Sequence, residues 1–276
     1  MASTTRPDRK YQLVVIDIDG TLLDDDRLVT PEVHAAVDLA RGAGVRLSLA
    51  TGRAFDSARQ IAAEVRIAEP IISDGGAVVG PAGTGARLRD LRIAPATAGD
   101  ILAAVAAEEA DCHVFYRHDV RVNRLSSSVR RYASRLGIEM GHLADLAADA
   151  RRRPEGPTMI VLRSNRYHAP VLRARYGARF GHAVQVTSTA PHFVDFLHHA
   201  ASKAKALDFL CTTLGIPPDR VIAIGDGIND LDMIAHAGLG VLVANAAREL
   251  WPHADYVTEA PYYEGIAEVI QRFCLK

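Results

Sequence analysis

The chain is 276 residues long, 49% hydrophobic and 24% charged, enough to bury a large apolar core without disulfide or metal staples. Its 32 Lys and Arg nearly balance 33 Asp and Glu, so bulk charge makes no case for nucleic acid or an anionic membrane as the main partner. Three scattered cysteines (Cys112, Cys211, Cys274), a polar Met1–Lys10 with no apolar leader stretch, and no run of roughly 20 apolar residues point to a cytoplasmic protein that neither spans nor binds a membrane.

The opening third alternates strand and helix patterns. Tyr11 to Ile16 reads as a buried strand, and Thr30-Pro31 supplies an N-cap followed by proline at the first helical position. That helix runs to the Gly42 to Gly44 region, followed by a strand over Val45 to Ala50, a helix over Phe55 to Val65 and a strand over Pro70 to Ile72. The last third alternates in the same way, with helix Ser202 to Leu214, strand Arg220 to Ile224, helix Asn229 to Ala237, strand Leu239 to Val243 and a closing helix Glu264 to Phe273. Strands and helices in that order predict an α/β, doubly wound parallel sheet.

The middle differs. Turn formers Gly80 to Gly85 mark a first crossing out of the core. Beyond them lie helices around Asp100 to Ala110, Ser126 to Leu136 and His168 to Tyr176. Strands are expected at Cys112 to Tyr116, Met159 to Leu162, Ala183 to Thr187 and Phe193 to Leu197. The expected organisation is a core of 1–83 and 191–276 interrupted by an α+β insert over 84–190.

Four constellations carry chemistry. Asp17-Ile18-Asp19-Gly20-Thr21 follows the first strand, at the strand end where doubly wound sheets bind ligands. Two carboxylates aimed from one tight loop can serve as nucleophile or metal ligand and as proton donor, and Asp17 continues an apolar strand, which is costly for a carboxylate without a partner. Thr51-Gly52-Arg53 ends the second strand, with a hydroxyl and a glycine that lets backbone N–H groups approach an anion. Lys203 and Lys205 open a helix; Lys203, nearer the loop, is the candidate, and Lys205 the solvated one. Gly225-Asp226-Gly227-Ile228-Asn229-Asp230 follows a strand, and oxygen ligands from Asp17 and Asp226, with Asp230 as a further candidate, suit Mg²⁺.

Together these resemble the four motifs of the haloacid dehalogenase (HAD) superfamily, and more narrowly the Cof-like phosphatases with a large type IIB α+β cap. The resemblance extends to Asn245-Ala246 and Glu264-Gly265. It implies a Rossmann-like core and a Mg²⁺-dependent phosphatase acting on a small phosphorylated metabolite, such as a sugar phosphate. Asp17 is then the nucleophile, Asp19 the general acid and base, and Thr51 and Lys203 the groups that hold the phosphoryl oxygens. Ile18, Gly52, Arg53 and Asn229 complete the phosphate site, and Asp17, Asp19, Asp226 and Asp230 the metal site, with Asn229 helping its shell. A sugar phosphomutase and a non-catalytic binding module with this fold are the alternatives.

The sequence departs from the family pattern in Ser73-Asp74-Gly75-Gly76-Ala77, where Gly75 stands at a usual Asn, in Ala204 for a usual Gly, and in His198-His199-Ala200-Ala201. In the insert, Tyr116 and His118 share one strand face and His113, Phe115 and Arg117 the other, and Ser188, Thr189 and His192 lie near the return crossing. Which face looks toward a substrate is open, and a plain surface or core role is the default for each. Arg151-Arg152-Arg153 before Pro154 reads as a solvated loop. Nothing in the sequence specifies an oligomeric state.

Overall fold

A computed structural model of the protein describes residues 10–24, 26 and 28–275. The polar N-terminus on which the leader reading rests therefore lies outside the described residues, apart from Lys10. The chain divides into two compact units, one running through Leu88 and resuming at Ser202, the other Arg89–Ala201.

The first unit opens with β1 (Leu13–Ile16), α1 (Pro31–Gly42), β2 (Arg46–Leu49), α2 (Phe55–Glu64), β3 (Pro70–Ser73) and β4 (Val78–Pro81). The second holds β5 (Arg89–Asp90), α3 (Pro95–Val105), β6 (Asp111–Phe115), β7 (Val120–Val122), α4 (Ser127–Leu136), β8 (Gly141–His142), α5 (Leu146–Arg152), β9 (Met159–Arg163), α6 (Ala169–Phe180), β10 (Val184–Thr187) and β11 (Phe193–His198). The chain returns to the first unit with α7 (Lys203–Leu214), β12 (Val221–Gly225), α8 (Leu231–His236), β13 (Leu239–Leu242), β14 (Tyr256–Val257) and α9 (Tyr262–Phe273). No described helix is long and apolar enough to cross a membrane.

In the first unit a parallel sheet runs in the order β14-β13-β12-β1-β2. All four residues of β1 are buried, as a strand covered on both faces requires. Leu13 and Val15 pack with Val221, Ala223 and the Ala206, Leu207 and Leu210 face of α7, while Val14 and Ile16, pointing the other way, are equally buried. Each such side chain contributes about 1.5–3 kcal/mol. Helix α1 starts as its sequence demands: Thr30 accepts from the Val33 N–H, and Pro31 fills the first turn, where no N–H is missed.

The expected third parallel strand is only loosely part of this sheet. β3 meets the end of β2 through a single bridge, Ala50 to Ile72, and spends its other edge on an antiparallel pairing with β4. That pairing moves the first crossing. Pro81 closes β4 against Pro70, and the Leu88 N–H donates to Val79, so residues 82–88 stay with the first unit rather than leaving it at 84. The return crossing also shifts, from 190 to Ala201. β11 pairs antiparallel with both β9 and β10 and belongs to the second sheet.

That second sheet has the order β10-β11-β9-β6-β7-β8. Cys112, Val114, Tyr116, Ile160, Leu162, Val194 and Phe196 point to one side and form a core with residues of α3, α5 and α6. The opposite face carries His113, Val161 and Asp195 side by side, because His113 pairs with Val161 and Val161 with Asp195. Tyr116 is thus a core residue, and His113 lies on the other face, under the edge of Tyr132 at 5.2 Å.

The arginine run is not a loop. Arg151 and Arg152 form the last turn of α5, where cations favour the helix dipole, and Arg153 is its C-cap. Arg151 pairs with Asp100 at 2.8 Å. Arg153 pairs with Asp149 and Asp119 and lies 3.7 Å above the Tyr116 ring. The apolar periodicity of Leu146 to Ala150 is too short to announce this helix against the flanking Asp and Pro.

Candidate active site

Every sequence-derived site residue falls in the first unit, on loops at the carboxyl ends of β1, β2 and β12 and at the start of α7. Asp17 continues β1 and is 5% exposed, its backbone N–H donating to the Ile224 carbonyl. Lys203, the first residue of α7, is 2% exposed. Its Nζ donates to Asp17 Oδ1 at 2.7 Å and also to Asp230 Oδ1. Lys205, two residues on, is exposed and uses only its N–H, which donates to the N-cap Ser202.

Asp230 is 1% exposed, and its second oxygen accepts from the N–H groups of Asp226 (3.2 Å) and Gly227 (2.9 Å). Half-buried Asp226 accepts from the Thr21 hydroxyl at 3.1 Å. One carboxylate oxygen each from Asp17, Asp226 and Asp230 lies within 4.8 Å of the others. Thr21, the last residue of the first motif, thereby joins the site as a support for Asp226, a role the motif contains but that residue spacing alone could not assign.

Burial first, then the neighbouring Asp230 and Asp226 charges, push the Asp17 carboxyl well above its ordinary range against the pull of Lys203. Asp226 is pushed up to about 7 by burial and by Asp230. Burial works against the Lys203 charge, but Asp17 and Asp230 outweigh it and hold the ammonium above its ordinary value. Three carboxylates facing one ammonium leave an excess of negative charge in a water-poor site. Hard oxygen donors with that excess fit a divalent cation such as Mg²⁺.

Asp19 is not among these three carboxylates, although its charge adds to the upward push on Asp226. Arg53 Nε donates to Asp19 Oδ2 and Nη2 to Asp19 Oδ1, both at 2.7 Å. The Asp19 carboxylate, expected among the metal ligands, is turned to a guanidinium, and a side chain expected on phosphate is turned to Asp19. Ile18 is fully buried, and its carbonyl accepts from the Leu23 N–H. Gly52 and Asn229 are half-buried, while Ile228 between the motif's polar residues is 60% exposed.

The β2 and β3 loops are stitched together. Thr51 N–H donates to Ile72, Gly75 N–H to the Thr51 carbonyl and Asp74 N–H to the Arg53 carbonyl. The Asp74 carboxylate accepts from the Phe55 N–H, at the start of α2, and from the Ser73 hydroxyl. Asp74 therefore sets the shape of the Thr51-Gly52-Arg53 turn. Sequence reasoning did not assign it this role, because its partners lie about twenty residues away. Gly76 has φ +94°, and a Cβ there would sit 2.2 Å from the Ser202 carbonyl oxygen and 2.9 Å from Lys203 N. This close approach lets the β3 loop abut the start of α7, where Lys203 reaches Asp17. Asn245 donates to the Gly20 carbonyl at 2.8 Å and accepts from Tyr262 N–H, tying the first motif to α9. His198 is not a loop residue: it closes β11, paired with Val184, and accepts from the Ala200 N–H in the turn that follows.

The chain belongs to the haloacid dehalogenase-like hydrolase family, whose family model matches residues 14–270. It is 32% identical over 261 residues to the phosphoglycolate phosphatase of Methanothermobacter thermautotrophicus, covering 94% of this chain and 97% of that protein. It is 25% identical over 277 residues to the 5-amino-6-(5-phospho-D-ribitylamino)uracil phosphatase YcsE of Bacillus subtilis, covering 99% and 100%. The solved structure of the HAD subclass IIB sugar phosphatase BT4131 shares its fold with a TM-score of 0.83 at 20% identity, covering 96% of this chain and all of that one. The protein is thus a HAD-type hydrolase, with named phosphatases among its relatives.

Proposed function

We propose that this protein is a Mg²⁺-dependent phosphatase that hydrolyses a small phosphomonoester through an aspartyl-phosphate on Asp17. The observation that carries the reading is the buried Asp17–Lys203–Asp230 cluster with Asp226 beside it, in a family whose relatives are named phosphatases. One Asp17 oxygen attacks phosphorus, and the ester P–O bond breaks with its electron pair on the leaving oxygen. Asp19 gives that oxygen a proton, releasing the alcohol. Water then attacks the phosphoryl group, passes a proton to Asp19, and inorganic phosphate leaves with Asp17 restored as a carboxylate. Lys203 and Thr51 hold the non-bridging oxygens as their charge grows. Asp17, Asp226 and Asp230 would hold Mg²⁺, which would supply positive charge to offset the repulsion between an anionic carboxylate and an anionic ester. The second unit is assigned the choice of substrate.

The test is phosphate release by wild type and Asp17→Asn across phosphorylated sugars, nucleotides and cofactors, with and without Mg²⁺. Release that needs both Asp17 and the metal supports the reading. An isomerised ester without free phosphate would point to a mutase, and a folded, metal-loaded but inert wild type to a binding module.

A further inference from the structure

We propose that the second unit holds a binding site for the phosphate or carboxylate group of a small metabolite, in a cleft at the end of its sheet remote from the return crossing. The site stands apart from the phosphatase reading. The cleft has a volume of about 610 Å³, inside the roughly 300–1,000 Å³ usual for small-molecule sites. All of its lining residues fall within 107–168, in the second unit. Strand register fixes where it lies. β11 ends at His198, shortly before the crossing at Ala201, and its Leu197 pairs with Met159 at the start of β9, which pairs in turn with Phe115 at the end of β6. Asp111 and Arg163 pair at the opposite end of those strands, and both line the cleft.

The bonds already made there select the ligand. Asp111 Oδ2 accepts from the Ser126 and Ser128 hydroxyls, and its Oδ1 lies 2.9 Å from Arg124 Nε. Glu108 accepts from Arg175 at 2.9 Å and from the Tyr176 hydroxyl. The two sheltered carboxylates of the lining are thus occupied, but the donors are not. The Arg163 side chain, only 27% exposed, comes no closer to Asp111 than 3.8 Å, beyond hydrogen-bond reach, and its guanidinium has no bonded partner among the described residues. The two Nη groups of Arg124 likewise donate to nothing among the described residues. Asn165 Oδ1 accepts from the Tyr167 and His168 N–H groups, so its amide N–H₂ is left to donate. Ser164 and His168, joined Oγ to Nδ1 at 3.4 Å, add a hydroxyl and a ring nitrogen. Two guanidinium groups beside one occupied carboxylate leave a positive charge over and unspent N–H groups, the complement of anionic oxygens. Glu109, exposed and also in the lining, repels a broad polyanion and favours a small ligand that sets its anionic group against the arginines.

The test is hydrogen–deuterium exchange on the full chain without Mg²⁺, in inorganic phosphate or citrate against chloride at equal ionic strength. Peptides covering 107–111 and 163–168 report the cleft, and those covering 17–21, 51–53 and 226–230 report the candidate active site. With a Kd of about 1 mM, about 20 mM anion should slow exchange of the cleft amides about 20-fold. The expected result is protection of the cleft peptides in wild type and in Asp17→Asn, lost in Arg163→Gln. Stronger protection by phosphate than by citrate would mark the ligand as a phosphate ester, and the reverse as a carboxylic acid. No protection of these peptides by either anion, or protection that survives Arg163→Gln, would overturn the proposal and leave the phosphatase reading untouched. If Arg163→Gln does not fold, Arg124→Gln, at the more exposed arginine, gives the same decision. A wild type inert on phosphate esters would remove the phosphatase reading and leave this site standing.

Discussion

His113 and Asp195 sit in one register row of the second sheet, both fully buried, and burial moves them in opposite senses. Burial pulls the His113 ring down from 6.5 to about 4, with Asp111 opposing. It pushes the Asp195 carboxyl up from 3.8 to about 6, although the Thr189 N–H bonded to it at 2.6 Å pulls the other way. For Asp195 the folded state binds the proton more tightly than the unfolded chain. Its contribution to stability therefore falls as pH rises through the window from 3.8 to 6. For His113 the unfolded chain holds the proton more tightly, so stability rises with pH between 4 and 6.5. Between pH 4.5 and 7 the Asp195 term worsens by about 2 kcal/mol and the His113 term improves by about 2 kcal/mol, at about 1.4 kcal/mol per pKa unit. The two nearly cancel in the wild type, and each single variant exposes the other. Urea unfolding followed by circular dichroism at both pH values is the assay. Relative to wild type, Asp195→Asn should gain about 2 kcal/mol on going from pH 4.5 to 7, and His113→Gln should lose about 2 kcal/mol. Variants whose stability differences from wild type do not change with pH would refute the argument that burial governs both groups.

The glycines of the β3 loop should separate by position. Gly76→Ala places a Cβ against the Ser202 carbonyl at 2.2 Å, and should cost about 1–3 kcal/mol in thermal unfolding and reduce kcat through the displaced Lys203. Gly75→Asn, at φ +63° and ψ +24° in a region Asn also adopts, should cost less than about 1 kcal/mol in the same assay. Asp226→Ala removes one oxygen of the acidic cluster and frees the Thr21 hydroxyl. It should lower turnover and abolish most of the rise in melting temperature that Mg²⁺ produces in wild type, and an unchanged metal-induced shift would exclude Asp226 as a ligand.

Chain order and local chemistry alone determined the doubly wound core and most of its elements. Buried parallel strands must be nearly all apolar, so β1, β12 and β13 announce themselves, and a carboxylate directly after such a strand has few stable explanations but a site. Lys203 could be separated from Lys205 for a similar reason, since the first residue of a helix points back into the loop that precedes it. Tertiary structure decided what depends on partners distant in sequence. It placed β11 in the second sheet through pairing with β9 and β10, and turned Asp19 toward Arg53, 34 residues away, rather than toward the acidic cluster. It also made Asp74 the organiser of the Thr51 turn and set Gly76 against Ser202. Strand pairing and side-chain direction depend on which surfaces meet, and a one-dimensional pattern of apolar and polar residues carries the period of each element but not the identity of its neighbour.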